Sequence, residues 1–553
     1  MKLYNEAGQM HVRGDAHMKD KRLTGSICVL IVLCVLAALV MLALAALLLM
    51  GGEEAQPGAA QTPTPTSGGL LQAADLEPDP TRLYLTFDLP LADGAGKTQE
   101  LRDMRGKPAL LLFWSSWCGD CKRYLESGFE EAAAAAEAAG SPLLLVCREG
   151  VRGDDYAQAS EQLRALGISR DTLMDPQASL FASLGLHSVP SLAVLDAQGR
   201  LVLSTTAMPD SDGIARILDY ARGGQLKQLD AFARTLIRQD GTMPSSAVVS
   251  EDGITPGRVV LSETQGLLMR YALESGDQAL FDLVWHAARD TLLENGLLAW
   301  QTVDGEKGAV NASLDDLRVI DALYSAESAW GGYRADASQM AHALYNACVQ
   351  QQLMRDFSQY ADGQTTLQVT LCYQHPAAMR RIAPLDVRWN GAADRAEAIL
   401  TGGLISDAFP LYYPRYDSAT DTYTGDTLHM TEAMVTVLRA AEAGIVQERT
   451  LQWLEAMLRQ GPLYASYDTQ GRVVPGYAYE STAIYALAAQ IGQICGREEL
   501  QRLALARMER LRCFTGPLAG GYGRATDRSL YAYDVLQALL AWQGAAAHQP
   551  SGG

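Results

Sequence analysis

Cys118 and Cys121 stand two residues apart, directly after the short apolar run 109–113 and ahead of residues whose spacing predicts a helix over 122–139. Five apolar residues led by Gly106, Lys107 and Pro108 read as a buried central strand, so the first thiol falls at a helix N-terminus. Unpaired backbone N–H groups and the positive end of the helix dipole favour thiolate there, which makes Cys118 the expected nucleophile. Cys121, one helical turn further in, is the expected resolving thiol that breaks a mixed disulfide. A zinc half-site would need a second Cys-x-x-Cys or a histidine pair, and the eight histidines show no ligand spacing, so no metal is expected.

The elements around this pair must hold it open to another chain. Leu186 to Ser191 leads into a second apolar strand, 192–195, closed by the turn Asp196 to Gly199. A proline is tolerated at the start of a strand, and a cis Val189–Pro190 bond would set a backbone edge beside the thiols for a substrate chain to pair with.

Taken with Phe87-Asp88-Leu89, the block from Phe113 and Trp114 through Trp117 to Cys118, Asp175-Pro176-Gln177 and Val189-Pro190, the segment Leu83 to Gly223 resembles the thioredoxin superfamily, and more closely its extracytoplasmic TlpA-like branch. The resemblance implies an α/β thioredoxin-like domain over 81–223 that exchanges disulfides with protein thiols without a cofactor, with Trp117, Val189 and Pro190 supporting the redox pair. It departs at Tyr124-Leu125-Glu126, where the family carries a proline, often preceded by a glutamate. A carboxylate that assists proton transfer is therefore unassigned.

Residues 25–50 are almost wholly apolar, and at about 1.5 Å per residue they can cross a ~30 Å hydrocarbon core. Lys19, Lys21 and Arg22 precede them and Glu53 and Glu54 follow. The positive-inside rule then predicts a cytoplasmic tail over 1–23, a single transmembrane helix over 24–50 and extracytoplasmic domains beyond it, in the cell membrane. The stretch is long for a signal-peptide core and lacks a small-x-small cleavage site, so an uncleaved anchor is expected. Residues 51–80, rich in Pro, Thr and Gly, read as a tether. A formal net charge of -19 argues against nucleic acid and against adsorption to anionic lipid. Outside the apolar span and the Cys118/Cys121 pair, five cysteines remain without tight spacing, which is not a disulfide scaffold.

From about residue 225 onward the apolar spacing turns helical, with Gly, Pro and Tyr in the loops, and about a dozen helices without heptads suit a double-layered toroid over 224–548. Two blocks carry more than periodicity: Ser262-Glu263-Thr264-Gln265-Gly266 opening one helix, and Ala312-Ser313-Leu314-Asp315-Asp316 opening another. With Trp300 and the stretch Trp330 to Tyr333, they are similar to glycoside hydrolase family 8, whose members cleave β-1,4-linked polysaccharides by inversion on an all-α (α/α)6 barrel.

That resemblance implies Glu263 as general acid, a carboxyl kept protonated by desolvation so that it can protonate the leaving oxygen. Inversion needs a second carboxylate. Here the chain departs: Leu314 stands where the family has its first aspartate, and Leu428 to Glu432 replaces the Tyr-Asp-Ala-x-Arg block near the base. Asp407, Asp426 and Glu480 are candidates for the missing carboxylate and Asp316 for a sugar contact. Trp285, Trp300, Trp330, Trp389, Tyr412, Tyr413, Tyr416 and Tyr423 are compatible with sugar stacking, although Trp285 and Trp330 are expected in the core. Three functions compete on this reading: a thiol-disulfide oxidoreductase, a polysaccharide hydrolase, and a cell-surface glycan-binding protein built on a decayed hydrolase.

Overall fold

The computed structural model describes residue 87, residues 89–523 and residues 528–547. The expected tail, transmembrane helix and tether lie outside the described residues. Among the described residues, no helix is long and apolar enough to cross a membrane.

The first part is a seven-stranded sheet of β1 (Pro90–Ala92), β2 (Thr98–Glu100), β3 (Ala109–Trp114), β4 (Leu143–Arg148), β5 (Thr172–Asp175), β6 (Ser191–Leu195) and β7 (Leu201–Thr205) in the order β2-β1-β5-β4-β3-β6-β7. β3 runs parallel to β4 and antiparallel to β6, so it lies at the centre and every one of its residues is buried. Alternation divides its side chains. Leu110, Leu112 and Trp114 enter the core that contains both cysteines, whereas Ala109, Leu111 and Phe113 pack on the opposite face with Leu180 and Phe181.

After β3 the chain forms the helix Gly119–Ser127 and a second helix, Phe129–Ala138, where the sequence suggests one continuous helix over 122–139. Gly128 breaks it with φ -140°, and the Ser127 hydroxyl donates back to the Arg123 carbonyl at 2.7 Å, a Ser-Gly pair that bends a helix.

The second part contains twelve helices among the described residues, in two layers. Six form an inner ring: Ser262–Ser275, Ser313–Ala329, Pro376–Ile382, Met430–Glu442, Thr482–Ile494 and Ala532–Ala547. Each packs on the next and the last packs on the first. Outer helices such as Gln278–Leu292, Arg334–Cys348 and Glu498–Glu509 return the chain between them. Thr482–Ile494 shows why it belongs inside: it is buried from Thr482 through Gly492 on all sides, as expected of a helix with no polar face. This is the closed six-hairpin toroid expected from the sequence, and alternation of inner and outer helices brings the inner N-termini to one rim.

Both parts lie in one compact unit. The helical part lends Phe514 to the sheet core, where its ring meets Tyr220 edge-on at 5.3 Å and its carbonyl accepts from Arg216 Nε at 2.6 Å. Burying that ring contributes about 1.5–3 kcal/mol to the contact.

Candidate functional site

Cys118 caps the helix Gly119–Ser127. Its Sγ accepts from the Cys121 N–H at 3.1 Å and lies 3.5 Å from the Val189 carbonyl oxygen. Cys118 and Cys121 are joined as a disulfide, and the Val189–Pro190 peptide is cis. A sulfur held against a helix N-terminal N–H is stabilised when it carries charge, so this placement favours a thiolate on Cys118 once the bond opens. Trp117, 37% exposed, is pinned beside the pair by Nε1–H donation to the Val151 carbonyl at 3.3 Å and by Arg152 lying 4.2 Å over its ring.

Glu126 is exposed on the helix surface. The buried carboxylate near the pair is Asp154, which accepts from both the N–H and the hydroxyl of Ser116 and lies 3.8 Å from Cys147 Sγ. Burial and the Asp154 charge push the Cys147 thiol far above its ordinary value, so this third cysteine is inert. Neither composition nor spacing marked Asp154, because it arrives from a loop 36 residues beyond Cys118 in the chain.

In the toroid, Glu263 is the second residue of the inner helix Ser262–Ser275 and is half-buried. Burial, followed by the charge of Asp315, raises its pKa to about 7 against the lowering effect of Arg318. Asp315 is locked between Ser262 Oγ at 2.8 Å and Arg318 Nη1 at 2.7 Å, with both its oxygens engaged. Asp316, about 100° further round the helix, points away from Glu263. Its oxygens accept from the Leu298 N–H at 2.8 Å and Asn311 Nδ2 at 2.7 Å, and burial raises its pKa to about 8. It ties the helix to its neighbours and has no exposed surface to offer a sugar.

The other candidate carboxylates do not gather here. Asp407 and Asp426 are exposed, the former paired with Arg449, and Glu480 accepts from the Tyr485 hydroxyl at 2.5 Å. The group brought toward Glu263 is Glu432, from the first turn of the inner helix Met430–Glu442. Its charge adds to the rise at Glu263, and burial raises its own pKa. Glu432 lines a pocket of about 230 Å3 with His429, Tyr412, Cys372, Thr370 and Thr436. Tyr533, at the start of the inner helix Ala532–Ala547, completes the rim. Burial and the Glu263 charge push its hydroxyl up. The sequence signal for Glu432 was its place in the divergent block Leu428 to Glu432.

Of the aromatic residues, Trp285 is core and Trp330 packs on Phe281 and Tyr333. Trp389, Tyr412 and Tyr416 are buried as well, because they face neighbouring helices and hairpins.

Residues 83–204 match the AhpC/TSA family. The thiol-disulfide oxidoreductase ResA of Geobacillus thermodenitrificans is 24% identical over 132 residues, 24% of this chain and 73% of that protein. The protein YdaJ of Bacillus subtilis (strain 168) is 26% identical over 290 residues, 51% of this chain and 78% of that protein. Among solved structures, a novel alpha-amylase from Clostridium perfringens is 27% identical with a TM-score of 0.54, covering 58% of this chain and 97% of that one. The endoglucanase Cel10 of Klebsiella pneumoniae, a family 8 glycosyl hydrolase, is 16% identical with a TM-score of 0.42 over 58% of this chain and 100% of that one. The chain thus joins a thioredoxin-like domain, matched by the AhpC/TSA family, to a helical toroid similar in fold to a clostridial α-amylase.

Proposed function

We propose that this protein is a membrane-anchored extracytoplasmic thiol-disulfide oxidoreductase whose helical domain acts on a polysaccharide. The observation that carries the redox reading is Cys118 Sγ at the helix N-cap, 3.1 Å from the Cys121 N–H and beside the Val189 carbonyl. In the reducing direction, the Cys118 thiolate attacks one sulfur of a substrate disulfide. That S–S bond breaks, the other sulfur leaves as thiolate, and a mixed disulfide forms. The Cys121 thiolate then attacks Cys118 Sγ, expelling the second substrate sulfur, and the pair ends oxidised while the substrate has gained two electrons.

Exchange of Cys118 for Ser removes all turnover on a protein disulfide, whereas Cys121→Ser accumulates mixed disulfides on non-reducing gels. Full turnover by Cys118→Ser would refute the reading. The anchor rests on the apolar segment and its flanking charges, and protease added outside intact cells is expected to remove everything beyond residues 51–80. Protection of the redox domain would reverse the orientation.

A hydrolase reading of the toroid is favoured by one arrangement: Glu263, raised to about 7, with Glu432 lining the adjacent pocket. Glu263 would protonate the leaving glycosidic oxygen while Glu432 takes a proton from the water that attacks the anomeric carbon, giving inversion. The α-amylase similarity places α-linked glucans beside β-1,4-glucans and xylans as substrates to assay. Glu263→Gln is expected to abolish release of reducing ends while leaving binding intact, since the amide keeps the shape without the proton. Should the unaltered protein bind an oligosaccharide yet release no reducing ends from any of these polymers, the toroid is a glycan-binding module.

A further inference from the structure

Beside the Glu432 pocket lies an aromatic cluster that no buried core explains. The rings of Tyr477 and Tyr479 stack with centroids 6.2 Å apart and planes 28° from parallel, and His429, which lines the pocket with Glu432, meets Tyr477 edge-on at 5.9 Å. Tyr479 is 48% exposed and Tyr531 37%, both unusual for rings of this size. Tyr531 belongs to the same group: after burial, Tyr477 and then Tyr531 raise the Tyr479 pKa. Two residues beyond Tyr531 stands Tyr533, which feels the charge of Glu263. The cluster therefore links the Glu432 side of the rim to the Glu263 side.

Its backbone is fixed. The Ala465 N–H donates to the carbonyls of both Tyr477 and Tyr479, and the neighbouring strand Ser466–Asp468 pairs with Thr427–His429. On the far side, the Ser481 hydroxyl and the Ala483 N–H donate to Asp534, three residues beyond Tyr531. Exposed aromatic faces with hydroxyl edges, set rigidly at the mouth of a carboxylate-lined pocket, suit a neutral ligand that has apolar ring faces and a polar rim.

We propose that Tyr477, Tyr479 and Tyr531 form a stacking platform for the neutral glycan chain that enters the Glu263–Glu432 pocket. The platform rests on the glycosidase or glycan-binding reading above and adds the surface that selects chain over single sugar. Truncating a stacked ring costs binding without touching the carboxylates.

The test uses full-length protein in detergent, with Glu263→Gln as the parent so that no probe is consumed, and maltohexaose, cellohexaose and xylohexaose titrated by calorimetry. For the probe that binds, Tyr479→Ala and Tyr531→Ala are each expected to weaken affinity between about two- and tenfold, and Tyr479→Phe to restore it because the ring is kept. Unchanged affinity in both alanine variants, with the parent binding, overturns the platform and leaves the hydrolase reading standing. Loss of affinity alongside an unaltered protein that releases no reducing ends supports the platform and removes the hydrolase. A parent that binds none of the three probes overturns the platform and the sugar reading together.

Discussion

At the scale of single residues, the difference between the two redox thiols is positional. Cys118 Sγ faces the helix N-terminus, whereas Cys121 is one turn inside and almost fully buried. In the reduced protein at about pH 5.5, iodoacetamide is expected to label Cys118 well before Cys121, because only the first is held as thiolate below its ordinary pKa. Peptide mapping reads the order, and equal rates would remove the assignment. Glu263 yields a second expectation. A general acid raised to about 7 is protonated below that pH, so reducing-end release should hold on the acid side and fall as pH rises through about 7. An alkaline limb near the ordinary carboxylate value, close to 4, would mean that Glu263 is not the acid. These two sites were legible because each sits in a contiguous motif at a helix start. Glu432 and Asp154 were not, since ring closure and a distant loop bring them in. Asp316 shows the same limit from the other side, because one step along a helix turns a side chain from the cleft into the wall.

Among the elements, strands and long helices followed from periodicity, and the failures have local causes. Arg334–Cys348 stops six residues before the end that apolar spacing suggests, at a hairpin of Val349–Gln350 with Leu353–Met354. Its turn uses Gln351 and Gln352 at φ 51° and 64°, with no Gly or Asn to announce it. The helices Pro376–Ile382 and Trp389–Gly402 escaped because the first is short and the second buries mostly alanine, a weak apolar signal. Gly266, inside the Glu263 motif, shows what such a motif does structurally. A Cβ there would lie 3.1 Å from Arg318 Cδ and 3.2 Å from Val319 Cγ2, so glycine sets how closely the first two inner helices approach. Gly266→Leu should force them apart and cost about 1–3 kcal/mol through overpacking. A lower urea midpoint with unchanged m-value would show this, while unchanged stability would mean that the neighbouring helix yields freely.

For the whole molecule, the sheet and the toroid are joined through Phe514, and behind it a buried cluster holds the loop in place. Arg512 Nε pairs with Glu509 at 2.6 Å, Tyr522 donates to the same carboxylate at 2.5 Å, and Trp542 Nε1 donates to it at 3.0 Å. Phe514→Ala should weaken this contact and split a single calorimetric transition into two, leaving disulfide exchange intact. A single undivided transition would mean that other contacts suffice. The toroid also carries an unusual load of buried acids, which sets the pH dependence of its stability. Burial raises Glu263 to about 7 and Asp316 to about 8, and raises Asp356 and Glu432 in the same direction. Between the unfolded carboxylate value near 4 and those folded values, the native state binds more protons than the unfolded chain, so stability falls as pH rises. Glu442 behaves oppositely: burial alone would raise it, but Arg439, His375 and Arg270 hold it well below the ordinary range. Its contribution is present above about pH 4.5 and is lost only on further acidification. The thermal midpoint of the toroid should therefore be higher near pH 5.5 than near pH 8.5, and Asp316→Asn, which cannot titrate, should flatten that slope. A midpoint that climbs toward pH 8.5 would show that these carboxyls are ionised in the native state at no cost, and would remove the basis for a protonated Glu263 at neutral pH.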